Sequence, residues 1–120
     1  MNAECELLAS IYRSFNDRNI EAVLAVMDPA VDWPNGMEGG REHGREAVRA
    51  YWTRQWSLIN PRVDPTGFET DAAGKTVVQV HQVVHDLSGK LLDDKMVQHV
   101  YTFRDGLIQT MEIRPCPEDS

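Results

Sequence analysis

Two apolar runs flank a tight-turn signal in residues 91–114, which read LLDDKMVQHVYTFRDGLIQTMEIR. The dipeptide Asp105-Gly106 between them is the strongest short-range sign of a β-hairpin in the chain, because Asp and Gly accept the positive φ angles of a tight turn. Upstream, two further segments are rich in Val, Thr and aromatic residues and are separated by polar turn residues. The predicted strands of this antiparallel meander span residues 62–71, 75–86, 91–104 and 107–114.

The first half of the chain has helical periodicity instead. Apolar residues recur every three or four positions over residues 4–16 and again over residues 45–59, which predicts two amphipathic helices that each bury one face. Between them, Asn19 can cap a second, shorter helix. Asp28-Pro29 is expected to end that helix, because proline lacks the amide hydrogen that a helix needs.

A short strand and a glycine-containing connection follow the second helix. Val31-Asp32-Trp33 predicts the strand, and residues 34–44 predict a mobile loop able to act as a lid. Helices that precede a bent sheet bury their apolar stripes on one of its faces, so the predicted fold class is α+β. A curled sheet closed at one end by helices leaves a concave pocket.

The bulk properties limit the classes of function. A chain of 120 residues is the size of one domain, and we expect residues 1–120 to form a single one. The formal net charge of −7 argues against nucleic acid and anionic membranes as partners, because their phosphates need basic surfaces. No apolar run is long enough for a membrane span and the amino end lacks a signal sequence, so a cytoplasmic location is expected.

Neither a metal site nor a cofactor is predicted. Cys5 and Cys116 lie near opposite ends of the chain and do not have the spacing of zinc ligands. His81 and His85 would be roughly 13 Å apart on a strand, which is too far to share one ion. The sequence also has no phosphate-binding glycine loop and no serine nucleophile motif.

Three segments carry a resemblance to a known superfamily: residues 15–33, 43–48 and 101–108, which read FNDRNIEAVLAVMDPAVDW, HGREAV and YTFRDGLI. With the order of helices and strands, they resemble the NTF2-like superfamily, in its SnoaL-like and ketosteroid-isomerase-like branch. The resemblance implies an NTF2-like cone, in which three helices pack on a curved antiparallel or mixed β-sheet and enclose a pocket. It says less about function, since this fold hosts isomerases, hydrolases, cyclases, inactive subunits and binding modules.

The steroid isomerases of this branch use a set of polar residues that this sequence does not retain. They carry a tyrosine in the first helix, an aspartate base after the second helix and a further acid on the long strand. The matching positions here are Ile11, Trp33 and His99. Tyr12 and Asp32 each lie one position away, and a one-residue shift on a strand turns a side chain to the opposite face.

His99 is the leading candidate for a functional residue. Alternation places it with Val97, Tyr101 and Phe103 on the more apolar face of the long strand. Burial there would keep the imidazole neutral and available as a base or as a hydrogen-bond donor. The alternative is a core histidine that is hydrogen-bonded to a neighbour, and the sequence does not choose between the two.

Asp32 and His81 are the candidates to assist His99. A carboxylate beside an aromatic wall, as Asp32 is beside Trp33, can have its pKa raised towards values useful for proton abstraction. Alternatively, Asp32 is a solvated residue at the end of a strand. His81 lies on an alternating strand, so it either faces His99 across the pocket or points outward to solvent or to a dimer interface.

Large apolar side chains supply the walls of a pocket for a small apolar molecule. The predicted pocket residues are Tyr12, Phe15, Trp33, Trp52, Trp56, Tyr101 and Met111. One interpretation is cofactor-independent acid-base catalysis of the isomerase, cyclase or dehydratase type on a small apolar or polyketide-like substrate. The alternative is a ligand-binding or dimerisation module without catalysis, and a homodimer formed through the sheet is expected in either case.

Overall fold

The computed structural model describes residues 3–36 and 38–116. In this part of the chain, two helices come first, two strands and a third helix follow, and four longer strands come last. The helices are α1 (Ala3–Asn16), α2 (Ile20–Leu24) and α3 (Arg45–Leu58). The strands are β1 (Met27–Pro34), β2 (Arg41–His43), β3 (Ile59–Thr70), β4 (Thr76–Asp86), β5 (Leu91–Arg104) and β6 (Leu107–Pro115).

The strands form one mixed, open sheet in the order β2-β1-β6-β5-β4-β3. β1 runs parallel to β6, and every other neighbouring pair is antiparallel. The three helices pack against this sheet, so the predicted α+β fold with helices on an antiparallel or mixed sheet is confirmed, and the sheet is mixed. None of the helices in the described residues is long and apolar enough to cross a membrane.

The boundary between α2 and β1 differs from the prediction. Asn19 does cap α2, since its side-chain oxygen accepts a hydrogen bond from the backbone amide of Ala22. The helix ends at Leu24, however, and Pro29 lies inside β1 rather than at a helix end. The register of β1 against β6 shifts between Met27 and Asp32. A proline is tolerated at such an irregularity because the missing amide hydrogen breaks no regular ladder bond.

The segment between β1 and α3 is also more regular than a plain loop. Arg41–His43 pairs with the end of β1 as strand β2, so the prediction of a loop through residues 34–44 is wrong there. Asn35 is buried and organises the turn before β2: its amide group donates to Glu38 at 3.1 Å and to Glu42 at 2.8 Å. The backbone amide of Glu38 donates back to the Asn35 oxygen at 2.7 Å.

Two hydrogen bonds join α1 to the sheet. The Asn16 side chain donates to the carbonyl oxygen of Val63 and accepts from its amide, which joins the end of α1 to the edge strand β3.

On β4 and β5, Val78 lies opposite His99 and both are buried. This register turns the face of β5 that carries Val97, His99 and Tyr101 towards the helices, as the alternation predicts.

Candidate functional site

The helices and the inner face of the sheet enclose a cavity of about 400 Å³. This volume falls within the range of pockets that bind small organic molecules. Its wall is mainly aromatic and aliphatic. The predicted pocket residues that line it are Tyr12, Phe15, Trp33, Trp52, Tyr101 and Met111.

Trp56 lies behind the cavity wall instead of lining it. Its ring packs against Phe15 at 5.2 Å and against Trp52 at 5.9 Å between ring centroids. The guanidinium of Arg18 covers the ring at 5.0 Å from its centroid. Trp56 therefore supports the side chains that form the wall, and a ligand in the cavity would contact Trp52 rather than Trp56.

The aromatic wall is a connected set of rings. Trp33 meets Trp52 edge to face at 5.6 Å and tilts against Tyr101 at 6.2 Å between centroids. Phe15 meets Trp52 edge to face at 5.3 Å. Such pairs are favourable beyond the area that they bury, and each ring restricts the rotamers of its neighbours. The cavity therefore has a fixed apolar surface before any ligand enters.

Three polar side chains meet at the buried end of the cavity. The hydroxyl of Tyr12 lies 2.7 Å from Nδ1 of His99 and 2.7 Å from the hydroxyl of Tyr101. His99 is only 6% exposed, and both tyrosines are buried as well. α1 supplies Tyr12 and β5 supplies the other two, so the packing of the helix on the sheet assembles this group.

Burial keeps all three groups uncharged at neutral pH. Desolvation lowers the pKa of His99 to about 4. Burial raises the pKa of Tyr12 well above its usual value, and the neighbouring Tyr101 raises it further. Burial also raises the pKa of Tyr101. A neutral imidazole and two neutral phenols are therefore the species to consider in any chemistry at this site.

The hydrogen bonds favour one tautomer of His99. If Tyr101 donates to Tyr12 and Tyr12 donates to Nδ1, both hydroxyl protons have acceptors and the imidazole proton is on Nε2. The reverse direction leaves the Tyr101 proton without an acceptor among the described residues. It also leaves the Nε2 lone pair unpaired, whereas the first direction leaves only the Nε2–H unpaired; since unpaired buried polar groups are disfavoured, we assign the proton to Nε2.

Nε2 of His99 has no hydrogen-bond partner within residues 3–36 and 38–116. The same holds for Oε1 of Gln55, whose Nε2 donates to the Tyr51 hydroxyl at 3.1 Å. His99 and Gln55 both line the cavity. Buried polar atoms are usually paired, so an unpaired atom at a cavity wall indicates a place where a ligand or water supplies the missing bond.

Asp32 does not reach the cavity. Trp33 takes the inward position on β1, and alternation turns Asp32 to the opposite side of the strand. Its side chain is 33% exposed and pairs with the Nε atom of Arg41 at 2.6 Å. The structure therefore does not bring Asp32 together with His99.

His81 is also outside the cavity. On β4 the inward positions belong to Val80 and Gln82, and His81 lies opposite Met96 rather than opposite His99. The imidazole is 42% exposed and pairs with Asp94 at 2.7 Å. Of the two orientations that the sequence allows, the structure has the outward one.

Charged and polar side chains stand at the open end of the cavity. We call Gln82, Asp93 and Lys95 the polar mouth; all three line the cavity, and the two charged ones form an ion pair at 3.3 Å. Along β5, Asp93 lies six residues before His99, or roughly 20 Å at the usual rise of a strand. The buried end therefore has no carboxylate within reach among the described residues.

Two features of the site escape sequence reasoning. The contact of Tyr12 with His99 joins a helix to a strand 87 positions away, and no local pattern encodes such a distance. Gln55 lies three residues after Trp52 and four after Tyr51, on the apolar stripe of α3. A polar residue at a stripe position is a signal that could have identified it.

Within the described residues, no three His, Cys, Asp or Glu side chains are grouped closely enough to hold a metal ion.

Comparison with known proteins gives a family match. The profile of the SnoaL-like domain matches residues 8–111 of this chain. A search of curated proteins finds no match.

Solved structures with the same fold cover nearly the whole chain. An NTF2-like protein of unknown function from Burkholderia pseudomallei is similar at 27% identity and a TM-score of 0.82, over 95% of this chain and 91% of the other. TerC, co-crystallized with polyporic acid, is similar at 28% identity and a TM-score of 0.78, over 91% of this chain and 88% of TerC. A candidate polyketide cyclase from Sinorhizobium meliloti, at 16% identity, shows the shared fold alone; its TM-score is 0.75, over 91% of this chain and 94% of the other.

Proposed function

This chain belongs to the SnoaL-like domain family, and from that premise we propose that it binds a small apolar carbonyl compound and catalyses proton transfer next to the carbonyl group without a cofactor. Isomerisation and cyclisation of cyclic or polyketide-like substrates are reactions of this type. The observation that carries the proposal is the unpaired Nε2 of His99, which is buried in the wall of an otherwise aromatic cavity.

In this proposal, His99 acts as a neutral hydrogen-bond donor. Its Nε2–H bonds to the carbonyl oxygen of the substrate, and this bond strengthens as negative charge develops on that oxygen during removal of an adjacent proton. Such stabilisation is worth more at a buried and mainly apolar wall than in bulk water, because the local dielectric is low. The lowered pKa of His99 keeps the ring a donor without charge across the neutral pH range.

Tyr12 and Tyr101 are positioning residues. The hydrogen bond from Tyr12 fixes Nδ1 as the acceptor atom of the ring and so directs the other N–H to the substrate. Tyr101 fixes the orientation of the Tyr12 hydroxyl in turn. Because burial raises the pKa of both phenols, they hold the chain of hydrogen bonds in place and do not supply a net proton.

The position of the carboxylates restricts the substrate. Asp93 is at the polar mouth and Asp32 is on the other side of β1, so neither reaches the carbon next to a carbonyl held by His99. The proton is therefore accepted by water or by a basic group of the substrate itself. This favours substrates whose C–H is already acidic, such as 1,3-dicarbonyl compounds. The presence of polyporic acid in the related TerC structure supports a small organic ligand for this fold.

Ligand binding without turnover is a second candidate function. The position of the carboxylates favours this second function, because no carboxylate among the described residues lies beside His99 to remove a proton. In this case His99 would hold the carbonyl group of the ligand and nothing would remove a proton.

Hydrogen–deuterium exchange separates the two candidates. We would incubate 2-tetralone, a bicyclic ketone with acidic protons next to its carbonyl, with the protein in D₂O and follow loss of those protons by NMR. Catalysis predicts that the protein accelerates exchange, and that His99→Leu, which has no side-chain donor, reduces the acceleration roughly 100-fold, as for loss of an oxyanion donor elsewhere. His81→Leu is the matched control, because it makes the same substitution at an exposed histidine outside the cavity.

The outcome that removes the catalytic role is an equal acceleration by the His99→Leu variant. If 2-tetralone binds and exchange does not rise above the rate in buffer, the second candidate replaces the first.

A further inference from the structure

We propose that the natural ligand carries a hydroxyl group as well as a carbonyl group, and that this hydroxyl donates a hydrogen bond to Oε1 of Gln55. The assignment of the carbonyl group rests on the proposed function, in which His99 holds this group. The assignment of the hydroxyl group rests on Gln55 of α3, which has no part in the proton transfer.

The geometry of Gln55 defines the group that it can bind. Its amide nitrogen donates to the Tyr51 hydroxyl at 3.1 Å, and this bond orients the amide oxygen away from Tyr51. The oxygen is buried and has no partner among the described residues, although the glutamine as a whole is half-buried and lines the cavity. A carbonyl oxygen only accepts hydrogen bonds, so the missing partner is a donor.

The two unpaired atoms in the cavity wall have opposite hydrogen-bonding character. Nε2–H of His99 is a donor, and Oε1 of Gln55 is an acceptor. A plain ketone would pair with the first and leave the second buried without a bond. A phenolic or enolic ketone has one group for each. Sites built to bond a hydroxyl discriminate strongly against analogues that lack it, because the protein atom is left unpaired.

The ligand class can be tested on the unmodified protein. We would measure by calorimetry the dissociation constants of 2-tetralone, of its isomers with one hydroxyl on the aromatic ring, and of the methyl ethers of those isomers. At least one hydroxylated isomer is expected to bind about tenfold more tightly than 2-tetralone, the usual scale of one net hydrogen bond to a buried group. Its methyl ether is expected to lack this gain, because an ether oxygen accepts and does not donate.

Variants then assign the gain to Gln55. The ratio of the two dissociation constants, with and without the hydroxyl, is expected to fall to near one in Gln55→Met. Gln82→Met is the matched control, since Gln82 also lines the cavity and the substitution is the same. In this control the ratio is expected to remain near tenfold.

Three results would overturn the inference: no hydroxylated isomer binds more tightly than 2-tetralone, the methyl ether binds as tightly as the hydroxyl compound, or the preference persists in Gln55→Met. The exchange experiment can give a negative result independently of these binding measurements. A hydroxyl preference without accelerated exchange removes the catalytic proposal and leaves the ligand class. Accelerated exchange without a hydroxyl preference removes the ligand class and leaves catalysis.

Discussion

Acidification from pH 7.5 to pH 5 should destabilise this protein through His99. Burial lowers the pKa of this imidazole from 6.5 in the unfolded chain to about 4 in the fold. Between these values the unfolded state binds a proton that the folded state does not, so stability is lost as the pH falls through this window. The contribution of His99 is fully present above pH 6.5 and is lost progressively towards pH 4.

The size of the effect follows from the two pKa values. Between neutral pH and pH 5, the extra proton binding of the unfolded state lowers the free energy of unfolding by about 2 kcal/mol, which is equivalent to about 1.5 pKa units. Urea unfolding followed by tryptophan fluorescence at pH 7.5, 6.5, 5.5 and 5 measures this free energy. His99→Gln is the reference, because groups common to both proteins cancel in the comparison.

The wild-type protein should lose about 2 kcal/mol more than His99→Gln over this range. Equal losses in the two proteins would mean that the imidazole titrates normally and is therefore hydrated. That result would refute the description of a dry, neutral ring at the buried end of the cavity.

Three further predictions concern Tyr12, Asp32 and the oligomeric state. Tyr12→Phe removes the hydrogen bond to Nδ1; we expect unfolding in urea to show a loss of about 1–3 kcal/mol, and exchange of 2-tetralone protons to slow about tenfold. Asp32→Asn breaks an exposed pair with Arg41; it should cost less than about 1 kcal/mol in the same unfolding assay and leave the exchange rate unchanged. The homodimer through the outward face of the sheet, where Met96 is exposed, stays a prediction that sedimentation equilibrium at micromolar concentration should bear out.

Each of these has a contrary result. An unaltered exchange rate in Tyr12→Phe would show that the ring orientation does not depend on the phenol. A large loss of exchange in Asp32→Asn would restore this carboxylate to the catalytic group. A monomer at micromolar concentration would argue against the dimer.

The sheet could be predicted closely because its signals are local. β4 and β5 begin and end within one residue of the predicted strands, since alternation and the turn at Asp105-Gly106 are both visible in short windows. The start of β1 could not be placed, because Val26 and Met27 fit a helical stripe as well as a strand. Pro29 does not distinguish a helix from a strand at this point, since its missing amide hydrogen suits a bulged strand as well as a helix end.

The site could be predicted only in part. Alternation on β5 gave the orientation of His99 correctly, because a strand has a fixed period of two. The choice between Asp32 and Trp33 for the inward position depends on the register of β1 with β6, which no single-strand pattern specifies. The partner of His99 depends on how α1 packs on the sheet, which no local pattern encodes. Gln55 is not evident from sequence, because the apolar residues around it on α3 give the stronger local signal.

The chemistry proposed for this cavity depends on His99, which presents an N–H donor to the cavity while Tyr12 donates to its other ring nitrogen. Long-range ¹H–¹⁵N NMR of protein labelled in its histidines, with His99→Gln used to assign the signals, reports which ring nitrogen carries the proton. At pH 7 we expect a neutral ring with its proton on Nε2. A proton on Nδ1 or a doubly protonated ring at that pH would contradict the account.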